Sequence, residues 1–271
     1  MSFKVTFVGS GDECGIPAPF CNCRICRSAR QNPAECRSRA GILLDEDTVL
    51  DWDVDFIQKR YSEGKTNMLT FRHLLFCNQG PDFSFITCHY HYQRFCQLPE
   101  ERMTIYGNPN VFRSIIQMIP PFYSKLKNRD FNFWNAANID FVNQSDRKTI
   151  DAGIQRITPV LTDSKRQYYA YIIERDGKVM LFIRQPGALD PEAFEFLKQN
   201  RSVYDLVVMD RRVRRSGKEA VELFDIFARK SGCIRIITGF SHYERFDAEE
   251  CDRLYTPHGI IAASDNMEVA L

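Results

Sequence analysis

The chain has 271 residues, 44% of them hydrophobic, and its 36 basic and 35 acidic side chains leave a formal net charge of +1. That is enough chain for one large core, and the near-neutral balance excludes the whole-protein field with which nucleic-acid-binding or membrane-surface proteins gather their partners. No run of 18 apolar residues occurs, and "MSFKVTFVGSGD" has no charged head followed by an apolar stretch, so a cytoplasmic protein without a membrane segment is expected.

In chain order, "KVTFVG" (4–9) and "AGILLDEDTVLDWDV" (40–54) read as strands, with apolar and β-branched residues at period two. "SFITC" (84–88) and "MTIYG" (103–107) follow, then a helical pattern in "NVFRSIIQMI" (110–119). "IQRITPV" (154–160) precedes a hairpin in which "YYAYIIE" and "KVMLFI" turn through Asp176-Gly177. "DPEAFEFLKQ" (190–199) predicts a helix capped by Asp190 with Pro191 in its first turn, and "GKEAVELFDIFARKSG" (217–232) predicts another. "YDLVVMD" (204–210), "CIRIITG" (233–239) and "GIIAA" (259–263) complete the strands. No linker, repeat or low-complexity tract divides the chain, which predicts one domain over residues 1–271. Consecutive strands in the first half and alternating strands and helices in the second suit an α/β (α+β) class with two sheets face to face and helices outside, an αββα layering.

Ten cysteines in a chain of this size and kind predict mostly free thiols, and Cys77, Cys88, Cys233 and Cys251, standing singly, read as small buried hydrophobes. "FCNCRICRSARQNPAEC" (20–36) is different: Cys21, Cys23 and Cys26 bring three soft ligands together, one short of zinc's tetrahedral set. The fourth is either Cys36 or one of the five histidines, His73, His89, His91, His242 and His258.

The stretch "VTFVGSGDECGIPAPFCNCRICRSAR" resembles the opening of the metallo-β-lactamase superfamily, in the branch of the cyclic phosphodiesterase that accompanies the carbon-phosphorus lyase. "ITCHYHYQRFCQL", "VMLFIRQPGAL" and "GFSHYERF…GIIAASDNMEVAL" extend the resemblance over nearly the whole chain. It implies the four-layer fold and one structural zinc per chain on Cys21, Cys23, Cys26 and His242. It also implies a dinuclear hydrolase centre, and there the residues depart from the pattern. Against the family's H-x-H-x-D-H loop the chain aligns His89, Tyr90, His91, Tyr92, Gln93 and Arg94, so the aspartate and last histidine are replaced. Asp163 falls near the next histidine, Arg184 in the place of the bridging aspartate, and Gly239 in that of the last metal histidine. Asp12, Asp51 and Asp265 match family positions and are expected to support turns, with Asn266 where a glycine is usual.

These replacements predict a structural zinc with an eroded dinuclear centre. Arg94 and Arg184, with Gln93, would then bind a small anionic metabolite bearing phosphate or carboxylate without a metal, and Arg211, Arg212, Arg214 and Arg215 could add charge at the rim. The other reading of the arginines is a structural ion pair, Arg94 or Arg184 with Asp163 or Asp51. Two alternatives for the function stay open: a mononuclear metal-dependent hydrolase, phosphodiesterase or oxygen-using enzyme with a second metal on His89, His91 and Asp163, or a protein-interaction pseudoenzyme. Whether the chain is an enzyme is therefore open, as is a homodimer; nucleic acid is not an expected partner.

Overall fold

The computed structural model describes residues 3–51, 55, 56, 59, 71–77, 102–118, 138–210, 217–244 and 248–271. Strand β1 (Lys4–Gly9) pairs antiparallel with β2 (Gly41–Leu44), which turns through Asp45 into β3 (Thr48–Leu50). Strands β4 (His73–Leu75), β5 (Met103–Gly107) and β6 (Ile139–Asn143) then add in parallel. The second sheet begins with β7 (Ile150–Ala152), β8 (Gln155–Asp163), β9 (Tyr168–Arg175) and β10 (Lys178–Arg184), all antiparallel, and continues in parallel through β11 (Leu206–Asp210), β12 (Ile234–Thr238) and β13 (Ile260–Ala262). Strand β14 (Met267–Ala270) returns to the far edge of β1. The sheet orders are β14-β1-β2-β3-β4-β5-β6 and β13-β12-β11-β10-β9-β8-β7.

The period-two alternation decides which side chain enters which layer. Ile42, Leu44 and Leu50 of the first sheet meet Met180, Phe182 and Val208 of the second in the central core. Their neighbours Leu43 and Val49 turn outward to Val111 and Ile115 of helix α2 (Pro109–Met118). On the other outer face Leu181, Ile183 and Val207 are covered by α3 (Pro191–Gln199), α4 (Gly217–Phe227) and α5 (Ala248–Tyr255), together with the short α1 (Arg24–Gln31). Strands apolar on both faces are what a sheet with helices behind it requires. The αββα layering is therefore present.

Local chemistry explains the joints. Asp176 and Gly177 both have positive φ, 49° and 75°, as a two-residue hairpin turn demands. Asn108 Oδ1 accepts from the backbone N–H groups of Asn110 and Val111 at 2.8 and 3.0 Å and so caps α2. Asp190 does stand at the cap of α3, but its side chain makes no capping bond; it accepts from Ser164 N–H at 2.8 Å and ties the β8–β9 turn to the helix start. The segment after β1 sews the two sheets together. Gly11 bridges to both Arg39 and Phe240, while Gly239 and Phe240 donate to Ser10 O at 3.0 and 2.9 Å. At Gly9 a Cβ would lie 2.0 Å from the Arg39 carbonyl oxygen, so only glycine fits this seam. Among the described residues no helix is long and apolar enough to cross a membrane.

Candidate functional site

The seam carries the cysteine cluster. Cys23 caps α1, its sulfur accepting from Cys26 N–H at 3.5 Å, and the first turn of that helix brings Cys26 back beside it. Cys21 lies in the turn just before, closed by its N–H to Ala18 O at 3.2 Å and by a bond from the Arg30 guanidinium to its carbonyl. His242 comes from the other sheet, four residues beyond β12, in a short turn of 3-10 helix. Its Nδ1 lies 3.2 Å from Cys21 Sγ and 3.8 Å from Cys23 Sγ.

The four ligand atoms lie within 4.8 Å of one another, and this is the cluster among the described residues with metal-holding geometry. A tetrahedral zinc bound to sulfur at about 2.3 Å and to nitrogen at about 2.0 Å separates its ligand atoms by roughly 3.6–3.8 Å, so the donor set fits with small adjustments. His242 is 4% exposed, and its Nε2 has no hydrogen-bond partner among the described residues. The thiols hold their protons unequally. Burial opposes ionisation of Cys23, but the Cys26 N–H bond and the contacts with His242, Cys21 and Cys26 outweigh it and lower its pKa to about 6. Burial, together with the neighbouring Cys23 and Cys21, pushes Cys26 up to about 12. A metal completes such a set by displacing the proton that Cys26 holds. Cys36 lies outside the cluster, its thiol donating to Ala29 O at 3.3 Å.

A second group of ionisable side chains sits at the carboxyl ends of the parallel strands, where ligand sites of α/β sheets usually lie. Arg184, Asp210 and Thr238 occupy adjacent register positions at the ends of β10, β11 and β12, each 4% exposed or less. From the first sheet Asp51, also 4% exposed, reaches Arg184 with 2.9 Å between Oδ2 and the guanidinium. Burial disfavours the Arg184 charge, but Asp51 and then Asp210 more than offset this and hold it cationic. Asp51 Oδ1 in turn accepts from Cys77 N–H at 2.9 Å, which locks the end of β4 to the end of β3.

Of the arginine readings left open by the sequence, Arg184 forms the ion pair with Asp51. Its guanidinium is engaged by carboxylates on the protein, which corrects the picture of a free anion clamp at this position. Asp163 is also occupied: Oδ1 accepts from Lys165 and Arg166 N–H at 3.0 and 2.9 Å, so the carboxylate closes the β8–β9 turn. His89, His91, Gln93, Arg94 and the arginines at 211–215 lie outside the described residues. Asp12 accepts from Cys14 N–H, Asp265 from Ser10 and Ser38, and Asn266 has φ 63°, all in turns that hold the seam. Cys77 was read from sequence as a plain buried thiol. It is fully buried, yet it stands beside Asp51 and Arg184, and burial followed by the Asp51 charge raises its pKa far above the usual thiol range, so it is no nucleophile. A cleft of about 440 Å³ opens at the start of α3, but Asp146, Asp190 and Glu192 outnumber Arg147 on its wall, so it does not suit an anion.

No protein-family model matches the sequence. No curated protein matches it either. Solved structures do match over the whole length. The chain is similar to a new diphosphatase of the PhnP family, with TM-score 0.75, 17% identity and coverage of 100% of this chain and 98% of the other. It is similar to zinc-bound PqqB from Methylobacterium extorquens at TM-score 0.68 and 16% identity, over 99% and 100% of the two chains. Similarity to the metallo-β-lactamase fold protein YhfI from Bacillus subtilis reaches TM-score 0.63 at 12% identity, over 100% and 99%. The fold is the metallo-β-lactamase fold.

Proposed function

We propose that this chain is a single-domain, cytoplasmic metallo-β-lactamase-fold protein that has kept a structural zinc and lost the dinuclear hydrolase centre. A buried guanidinium does, by our reading, part of the electrostatic work of the missing metals. The observation that carries this is Arg184, held 2.9 Å from Asp51 and beside Asp210 at the strand ends, in the place where the resemblance puts a bridging metal ligand. A fixed cation there satisfies the carboxylates and repels a second cation. Two further points agree with it. Cys77, just after β4, donates its N–H to Asp51, and no histidine follows His73 in the sequence until His89. Gly239, with φ 75°, supports the seam and offers no side chain to a metal. A mononuclear centre on His89, His91 and Asp163 is the weaker reading, because the Asp163 carboxylate already holds its own turn.

Zinc on Cys21, Cys23, Cys26 and His242 would have all four tetrahedral positions filled by protein, which suits a structural rather than a catalytic ion. It would join the amino-terminal loop to the end of β12. Free thiols at all eight described cysteines agree with a reducing compartment. The ligand we propose is a small anion, with Arg94 and Gln93 as the candidate contacts from the sequence, and the likeness to a diphosphatase makes a phosphate-bearing molecule the first to try.

Metal counting with activity tests this. Elemental analysis is expected to give one zinc per chain, lost in His242→Ala. Bis(p-nitrophenyl) phosphate is expected to remain intact with added Mn²⁺ or Zn²⁺, and inorganic phosphate to raise the melting temperature through Arg94. A second stoichiometric metal, with turnover abolished by His89→Ala, overturns the proposal.

A further inference from the structure

Two of the cluster's sulfurs are arranged for a second kind of chemistry. Cys23-Arg24-Ile25-Cys26 puts one cysteine at the cap of α1 and the other in its first turn, with Cys23 Sγ accepting from Cys26 N–H at 3.5 Å. A Cys-x-x-Cys pair that opens a helix holds metals, and it also forms readily reversed disulfides. Both sulfurs belong to the set of ligand atoms that all lie within 4.8 Å of one another. A helical turn sets Cα atoms three residues apart at about 5 Å, inside the range that a disulfide spans.

The two members of the pair differ in access. Cys23 is partly exposed, whereas Cys26 is fully buried and its sulfur accepts from Ala18 N–H at 3.3 Å. A small oxidant therefore reaches Cys23 first, and a second thiol stands behind it. Cys21 is placed differently: its Sγ is nearer His242 Nδ1, at 3.2 Å, than that of Cys23, at 3.8 Å. Cys36 donates its thiol to Ala29 O and stays outside the cluster.

We infer that Cys23 and Cys26 form a site of reversible oxidation by hydrogen peroxide, and that their disulfide evicts the metal; the inference rests on the structural-zinc reading above. The Cys23 sulfur attacks one peroxide oxygen, the O–O bond breaks, and the other oxygen leaves as water with the thiol's proton, which makes Cys23 a sulfenic acid. The Cys26 sulfur then attacks Cys23, the S–S bond forms, the S–O bond breaks, and a second water carries off the Cys26 proton. Two thiols lose two electrons, and one peroxide is reduced to two waters. Metal and disulfide compete for the same sulfurs. Oxidation leaves only Cys21 and His242 as ligands, too few for a closed tetrahedral site, and the fastening between the amino-terminal loop and the end of β12 is released. Metal-binding free energy is folding free energy, so the oxidised chain is less stable. In a reducing compartment, exchange with free thiols restores the pair.

Hydrogen peroxide added to the full, reduced, zinc-loaded chain tests the inference, with released zinc read by a colorimetric chelator and cysteines mapped by alkylation and peptide mass. The expected result is loss of the bound zinc, loss of two alkylatable thiols, a disulfide mapped to Cys23 and Cys26, and a lower melting temperature. Dithiothreitol with added zinc should reverse all four. Cys36→Ser should release zinc at the wild-type rate. In Cys26→Ser the reaction should stop at a Cys23 sulfenic acid captured by dimedone; if that variant fails to fold or to load zinc, the wild-type map decides alone. Zinc retained through oxidation, zinc lost to sulfinic or sulfonic acids without a disulfide, or a disulfide mapped to any other pair overturns the inference and leaves the structural-zinc reading standing. A chain that binds no zinc at all overturns both.

Discussion

Replacing Arg184 by methionine separates a buried counter-ion from a solvent-facing clamp. The guanidinium and the Asp51 carboxylate are 5% and 4% exposed and approach to 2.9 Å, with Asp210 on the next strand. At an effective dielectric of about 20, unit charges about 4 Å apart attract by about 4 kcal/mol, and taking each ion out of water costs several. The intact pair is therefore close to break-even, but removing one partner is not: methionine fills the stem volume and leaves two carboxylates buried without their cation. The expected loss is about 3–5 kcal/mol, a fall of roughly 10 °C in Tm for a chain of this size. Thermal and urea unfolding of the zinc-loaded protein at neutral pH would read it. Asp51→Asn added to Arg184→Met should recover part of the loss, since the two sites share one interaction. A single variant within about 0.5 kcal/mol of wild type, the range of ordinary surface substitutions, would refute the reasoning.

Three other outcomes are expected. Zinc titrated into metal-free protein should release protons, because Cys26 is held protonated up to about 12, and affinity should fall as pH is lowered; calorimetry in buffers of different ionisation enthalpy measures both. Tyr171→Phe should cost about 1–3 kcal/mol by unfolding midpoint, since the buried hydroxyl donates to Phe76 O at 2.8 Å and accepts from Gln144 Nε2 at 2.6 Å. Burial lowers the pKa of His73, whose Nδ1 lies 3.0 Å from the Tyr106 hydroxyl, so its neutral form favours the fold. That contribution is complete above the unfolded value of about 6.5 and is lost as pH drops below it, and His73→Gln should flatten the Tm profile there.

The strands and layers were legible because "GILL", "TVL" and "KVMLFI" are short runs of apolar and β-branched residues bounded by turn signals, as strands buried on both faces are. The helix α1 was not, since "RICRSARQ" offers only Ile25, Cys26 and Ala29 to a core and its start is set by a cysteine cap. Edge strand β14 escaped for a related reason: half-exposed "MEVA" carries too little contrast. Three cluster ligands announce themselves by spacing, whereas His242 was reached only through resemblance, since 221 positions separate it from Cys21. Asp190 has the residue type of a cap, but a nearby backbone N–H at Ser164 competed for its carboxylate and won. Cys77 carries no local signal at all; only the pairing of β3 with β4 brings it to Asp51.

The span from Cys21 to His242 also orders events during synthesis. Three thiols leave the ribosome early, while their imidazole partner emerges only after nearly all of both sheets has been made. A metal held by all four ligands would thus be captured only once synthesis has passed His242, and a product truncated before residue 242 would keep an incomplete trio of sulfurs.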